Sequence, residues 1–148
     1  MIVLAVGTED EERTERLADE IVAVAEPADA EVVLTHVFGE EEFDETRAKL
    51  GFEAGSESST PDAVAERHAA TRKLSRALSA AGVRHSIRGA VGDHAAEVVE
   101  TAEGLGADRV VVGGRRRSPT GKAVFGSVAQ EVMLSAPCPV TFVREPAS

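Results

Sequence analysis

Short apolar runs alternate with amphipathic stretches along the whole chain, and this alternation restricts the fold more than any other feature. Ile2 to Val6 is an apolar run, after which Thr14, Leu17, Ile21 and Val24 recur on one helical face. Thr8-Glu-Asp-Glu11 reads as a capping box that opens this first helix. Glu31 to Val37 is a second strand. Thr60 followed by Pro61 signals a helix start, and Val64, His68, Thr71, Leu74, Leu78 and Ala81 then predict one long helix ending at Gly82. Val83 to Ala90 is a weaker strand, and Asp93 caps a helix carrying Ala96, Val99 and Ala102. Asp108 to Val112 is a strand core. A last helix begins near Gly126 or Ser127 with Val128, Val132, Met133 and Ala136 as its apolar positions, and Pro139 to Val143 closes the series as a strand. The pattern β-α-β-α-β-α-β-α-β needs crossover connections. It therefore predicts an α/β fold, a mostly parallel sheet with helices on both faces. Residues 1–148 read as one domain, interrupted by residues 39–60, whose seven acids, three glycines and weak periodicity predict a solvated acidic loop.

Composition narrows the core and the partners. Hydrophobic residues make up 43% but aromatics only 3%, with no Trp or Tyr, so Val, Leu, Ile and Ala must build the interior. The net charge is −10, and Lys49, Lys73 and Lys122 are the only lysines. An acidic, lysine-poor surface suits a halophilic setting, where salt screens the repulsion between carboxylates. The same charge opposes general nucleic-acid binding. No apolar run approaches the ~20 residues of a membrane span, and the first residues form a strand pattern without a basic leader, so the chain is expected to be cytoplasmic. Cys138, in an APCPV context, reads as a small buried hydrophobe.

Against this acidic background, Arg109 to Gln130 contains no acid and five cations, Arg109, Arg115, Arg116, Arg117 and Lys122. An apolar strand there runs into Gly113, and Gly126-Ser127 precedes a helix. Glycines let backbone N–H groups approach an anion, and a helix start adds free donors and a positive dipole end. The window is thus a candidate phosphate site, lying beyond the carboxyl end of a strand, where parallel sheets bind ligands. Other readings of the same residues stay open. Ser127-Val-Ala-Gln130 is itself a capping box that could close the helix start without a ligand. The arginine run reads equally as a solvated basic loop.

Several chemistries find no support. Pro119 to Lys122 lacks the spacing of a phosphate-binding Walker loop, and Gly89 to Gly92 lacks a dinucleotide fingerprint. His36, His68, His85 and His94 share no ligand spacing, so no metal site is expected, and His36 reads as structural. No Ser or Cys nucleophile stands in a recognisable triad context, and no catalytic residue is assigned.

The first strand, the LTHV of the second, the segment GDHAAEVVETAEGLGADRVVVGG and the ending GSVAQEVMLSAPCPVTFVRE resemble a universal stress protein domain of the UspA-like type over nearly the whole chain. The resemblance implies a five-stranded parallel sheet of order 3-2-1-4-5, Rossmann-like and related to the adenine-nucleotide α-hydrolase-like group. It also implies an ATP site, with Mg, built on a G-x2-G-x9-G-[ST] motif. Here that motif falls on Gly113, Arg116, Gly126 and Ser127, with arginine in place of the second glycine. Members that bind ATP carry a V-D-x-S pattern after the first strand, where this chain has Val6-Gly7-Thr8. Asp10 reaches that place only if the loop is rearranged. Val37 matches the position whose backbone reads adenine.

The resemblance further implies a homodimer through the C-terminal edge strand, residues 140–143, whose Val140, Phe142 and Val143 are apolar. Two functions follow from it. One is a small dimeric stress-response regulator or protective factor holding ATP or another phosphate ligand, with at most slow hydrolysis. The other is a ligand-free dimeric interaction module that has lost nucleotide binding. An ATP-using enzyme of the wider group is the weakest reading, since no catalytic constellation is present.

Overall fold

The structure, a computed structural model, describes residues 1–51, 60–114 and 126–144. Strands β1 (Ile2–Ala5), β2 (Val32–Phe38), β3 (His85–Val91), β4 (Arg109–Gly114) and β5 (Val140–Arg144) form one parallel sheet of order β3-β2-β1-β4-β5. This is the order 3-2-1-4-5 that the resemblance implied. Helices α1 (Thr14–Ala28), α2 (Glu40–Lys49), α3 (Pro61–Glu66), α4 (Ala69–Ala80), α5 (His94–Leu105) and α6 (Ser127–Ser135) connect or flank the strands. None is long and apolar enough to cross a membrane.

β1 lies at the centre, with Ala5 opposite Thr35 on one side and Val112 on the other. Both faces of such a strand are covered, which is why the run around it is continuously apolar rather than alternating. On one face Leu4 and Leu34 pack with Leu17 and Ile21 of α1 and Leu74 and Leu78 of α4. On the other, Val3, Val33 and Val110 meet Val98 and Ala102 of α5 and Val132 of α6.

Local signals decide several boundaries. The Thr60 hydroxyl accepts from the Ala63 N–H at 3.2 Å with Pro61 at the first helical position, and the Asp93 carboxylate accepts from the Ala96 N–H at 3.0 Å. Gly106 ends α5 in the left-handed region, φ 62°, where glycine carries no Cβ penalty.

Five sequence expectations are corrected. The segment 39–60 is not a loop throughout, because Glu40–Lys49 is helical, with three acids in its first turn and Arg47 and Lys49 in its last, both favourable to the helix dipole. Phe43 is its only buried residue, too little for a periodic signal, and residues 52–59 lie outside the described part. The long helix expected from Pro61 is two helices, broken at Arg67 and His68, where His68 takes extended backbone, φ −66° and ψ 131°, as the residue before α4.

Thr8 does not cap α1. A 3-10 turn over Thr8–Arg13 precedes the helix, and Gly7 stands at its start. Ser127 is likewise not a cap but the first residue of α6, behind Gly126. On α6 the buried residues are Ala129 and Val132, while Val128 is exposed, so the expected apolar face was rotated.

Candidate functional site

Chain connections leave β1 toward β2 on one side while β4 lies on the other, so the sheet reverses its order between β1 and β4. The crevice past the carboxyl ends of these two strands is where a doubly wound sheet offers backbone donors and acceptors to a ligand. Gly7 follows β1 at this rim, Gly113 is the penultimate residue of β4, and Val37 is the penultimate residue of β2.

The 3-10 turn shapes the β1 side. Its compact winding carries Asp10 back toward Gly7, so that the Gly7 N–H donates to Asp10 Oδ2 at 2.7 Å and the Asp10 N–H to the Gly7 carbonyl at 3.0 Å. Arg13, one turn on, places Nε 2.9 Å from Asp10 Oδ1, and both side chains are buried. A carboxylate and a guanidinium out of water are tolerated because they neutralise each other. The turn thus sets the Asp10 carboxylate against Gly7, just past the end of β1.

The pair rests directly on β4. A Cβ built on Gly113 would lie 2.7 Å from Asp10 Oδ1 and 3.2 Å from Arg13 Cδ, so only glycine fits beneath them. This close approach is what Gly113 provides. Gly114 follows it, and Arg116, with the rest of residues 115–125, lies outside the described residues.

On the β2 side, the last rung toward β1 is the Val6 N–H donating to the Thr35 carbonyl at 2.8 Å. In a strand the N–H and C=O of residues two apart point the same way, so those of Val37 also turn toward β1, beyond its end. The Val37 side chain is buried among the residues facing α5 and α6. Its backbone edge is what faces the crevice.

At the third wall, Gly126 is extended (φ −63°, ψ 153°), its carbonyl accepts from the Gln130 N–H at 3.0 Å, and among the described residues no side chain caps α6. The first N–H groups of a helix lack intrahelical partners, so an uncapped start presents donors together with the positive end of the dipole. Ser127 is exposed beside them, and a Cβ on Gly126 would meet nothing within 4 Å. Thr8 opens the 3-10 turn on the opposite side.

Sequence spacing gave no hint of a second feature at this rim. His36 and His68, far apart in the chain, stack with ring centroids 3.8 Å apart and 16° between planes. His36 Nδ1 lies 2.6 Å from the Val6 carbonyl, the last residue before Gly7, and Nε2 lies 3.5 Å from Glu42 Oε1. Burial lowers the His36 pKa, opposed by the Val6 carbonyl and by Glu42. Burial and then the neighbouring His36 ring bring His68 to about 4, with Glu11 opposing. Both rings are therefore neutral at pH 7. Among the described residues no group of three His, Cys, Asp or Glu side chains is placed to hold a metal.

Residues 2–144 match the model of the universal stress protein family. A universal stress protein from Mycolicibacterium smegmatis is 43% identical over 68 residues, a match spanning 45% of this chain and 52% of that protein, about half its length. A second, from Methanocaldococcus jannaschii, is 28% identical over 143 residues, covering 97% of this chain and 82% of the relative. Among solved structures, a universal stress protein from Archaeoglobus fulgidus in complex with dAMP superposes with TM-score 0.55 at 22% identity, over 96% of this chain and 95% of that one. A universal stress protein family protein from Arabidopsis thaliana with AMP bound gives TM-score 0.65 at 16% identity, over 99% and 93%. Likeness at these identities concerns the fold.

Proposed function

We propose, since this chain belongs to the universal stress protein family, that it is a cytoplasmic, dimeric stress-response protein that binds an adenine nucleotide without turning it over appreciably. The site comprises Gly7, Thr8 and Gly113 at the crevice, the Val37 backbone for the base, and Gly126, Ser127 and Arg116 for the phosphates. The observation that carries this reading is the sheet reversal between β1 and β4, which opens onto the Gly7 turn, onto Gly113 and onto the uncapped start of α6. Two relatives of the same fold hold AMP and dAMP. Mg would arrive with ATP, held by its phosphates. Among the described residues the carboxylate at the crevice, Asp10, is held by Arg13 and the Gly7 N–H, and positioning of phosphates alone supports only slow hydrolysis.

Calorimetric titration with AMP, Mg-ATP and inorganic phosphate in concentrated salt tests the reading. Saturable binding of both nucleotides is expected, and Ser127→Ala should weaken it about 10–100-fold, the loss of one hydrogen bond to a charged oxygen. Silence with all three ligands at millimolar concentration would instead favour a ligand-free interaction module. The buried Asp10–Arg13 pair packed over Gly113 is the feature that favours that second reading.

The dimer is proposed to form through residues 140–143. One sheet edge is already engaged, since the outward N–H of Gly89 in β3 donates to Asp62 Oδ1 of α3 at 2.8 Å. β5 is the other edge, pairing with β4 alone among the described strands. Sedimentation equilibrium should return twice the chain mass of 15.5 kDa. A 15.5 kDa species at micromolar concentration would contradict it.

A further inference from the structure

We propose that the stacked His36–His68 pair is a proton-operated latch on the turn that begins at Gly7, closed when both rings are neutral and opened by acid when both are charged. The inference rests on reading that turn as part of the ligand site, and it names a regulation of it.

A backbone carbonyl can only accept, so His36 Nδ1 must donate to Val6 across the 2.6 Å contact. That hydrogen bond pins the end of β1 immediately before the turn. It also fixes the neutral tautomer and leaves Nε2 with a lone pair facing Glu42 Oε1 at 3.5 Å. The ring is wedged between Phe38, edge-on at 4.5 Å, and His68, face-on at 3.8 Å. His68 in turn is the residue before α4, with Nδ1 3.0 Å from the Thr71 hydroxyl. One stack therefore ties β1, β2, α2 and the α3–α4 junction together.

The charged groups around it set the response. Glu42 of α2 faces His36, and His94 of α5 acts on it with the opposite sign. Glu11 of the 3-10 turn acts on His68 and is itself held by Lys73 of α4 at 2.9 Å. A first proton on His36 Nε2 is met by the Glu42 carboxylate, so the stack survives it. A second proton on His68 places two cations face to face with little water between them, and the rings must part. When His36 moves, the Val6 carbonyl loses its partner and the turn from Gly7 to Arg13 loses its anchor.

The direction with pH follows from linkage. An imidazole whose ordinary pKa of 6.5 is brought to about 4 by burial in the stack favours the closed form fully above pH 6.5 and progressively less as the pH falls toward 4.

Amide hydrogen exchange at Val6, Gly7 and Asp10 tests the latch, corrected for the intrinsic rate and referenced to Val3 and Val33 in the sheet centre. Between pH 7.5 and 5.0, protection at the turn should fall about tenfold or more relative to the reference amides, the population shift that this linkage allows. In His68→Gln, which keeps a planar polar group but cannot take the second charge, the fall should be absent. Nitrogen-detected NMR of the imidazoles provides a second readout, and His36 must be the Nδ1–H tautomer at pH 7.5. Equal loosening in both proteins, no loosening in the native one, or an Nε2–H tautomer would each overturn the latch. AMP affinity measured over the same range separates the two ideas. Loosening of the turn in a protein that binds no nucleotide at any pH supports the latch and overturns only the ligand reading.

Discussion

Replacing Asp10 with alanine is expected to lower folding stability by about 3–5 kcal/mol, the usual consequence of removing one member of a buried ion pair. The side chain has two structural roles at once. Its Oδ1 neutralises Arg13 at 2.9 Å and its Oδ2 accepts from the Gly7 N–H at 2.7 Å. Alanine therefore takes the carboxylate away from a buried guanidinium and from a backbone donor. Asp10→Asn keeps an acceptor for Gly7 and fills the volume, so it should lose less than the alanine variant. Urea denaturation of the three proteins at pH 7 measures the series. A loss under ~1 kcal/mol for Asp10→Ala would mean that Arg13 finds water readily, and that the 3-10 turn is not built on this pair. Because domains carry only about 5–15 kcal/mol in total, the alanine variant is expected to be partly unfolded at modest denaturant.

Gly89→Ala should be the most damaging of the single-methyl changes. A Cβ there would lie 2.0 Å from the Pro61 carbonyl oxygen and 2.4 Å from its carbon. Both are backbone atoms at the start of α3, so no rotamer change relieves the contact and the helix start must shift away from β3. Overpacking of this kind costs about 2–3 kcal/mol. The movement would also break the hydrogen bond from the Gly89 N–H to Asp62 and uncover the outer edge of the sheet. An unprotected edge pairs with other chains. Expected, then, is a lower melting temperature together with concentration-dependent aggregation. A variant that melts like the native protein would show that α3 is not fixed at that edge.

The sheet could be read from the chain because its determinants are local. Ile2 to Val6 and Val110 to Val112 are apolar runs flanked by turn signals, and Thr60, Asp93 and Gly106 mark helix ends through contacts spanning three or four residues. Strand order came from family resemblance, since no local signal encodes it. Helix α2 was missed because it buries Phe43 alone, and its helical character comes from acids and bases placed along its dipole rather than from an apolar stripe. The break at Arg67 and His68 was missed because a spacing of three and four residues runs straight through it. At the break the contact is tertiary, His68 stacking on His36.

The candidate site was legible in part for the same reason. Gly113 and Gly126 announced themselves as glycines next to a strand end and a helix start. Asp10 and Arg13 sit three residues apart, an ordinary surface spacing, and nothing local says that both are buried under Gly113. The histidine stack joins residues far apart in the chain and has no periodic signature at all.

The most direct test of the nucleotide proposal is amide chemical-shift mapping as AMP is added to the isotope-labelled protein in concentrated salt. The account predicts saturating shifts at Gly7, Thr8, Val37, Gly113, Gly126 and Ser127, with the amides of α1 and α4 far from the crevice unmoved. Saturating shifts confined to another face of the sheet, or none at millimolar AMP, would contradict it.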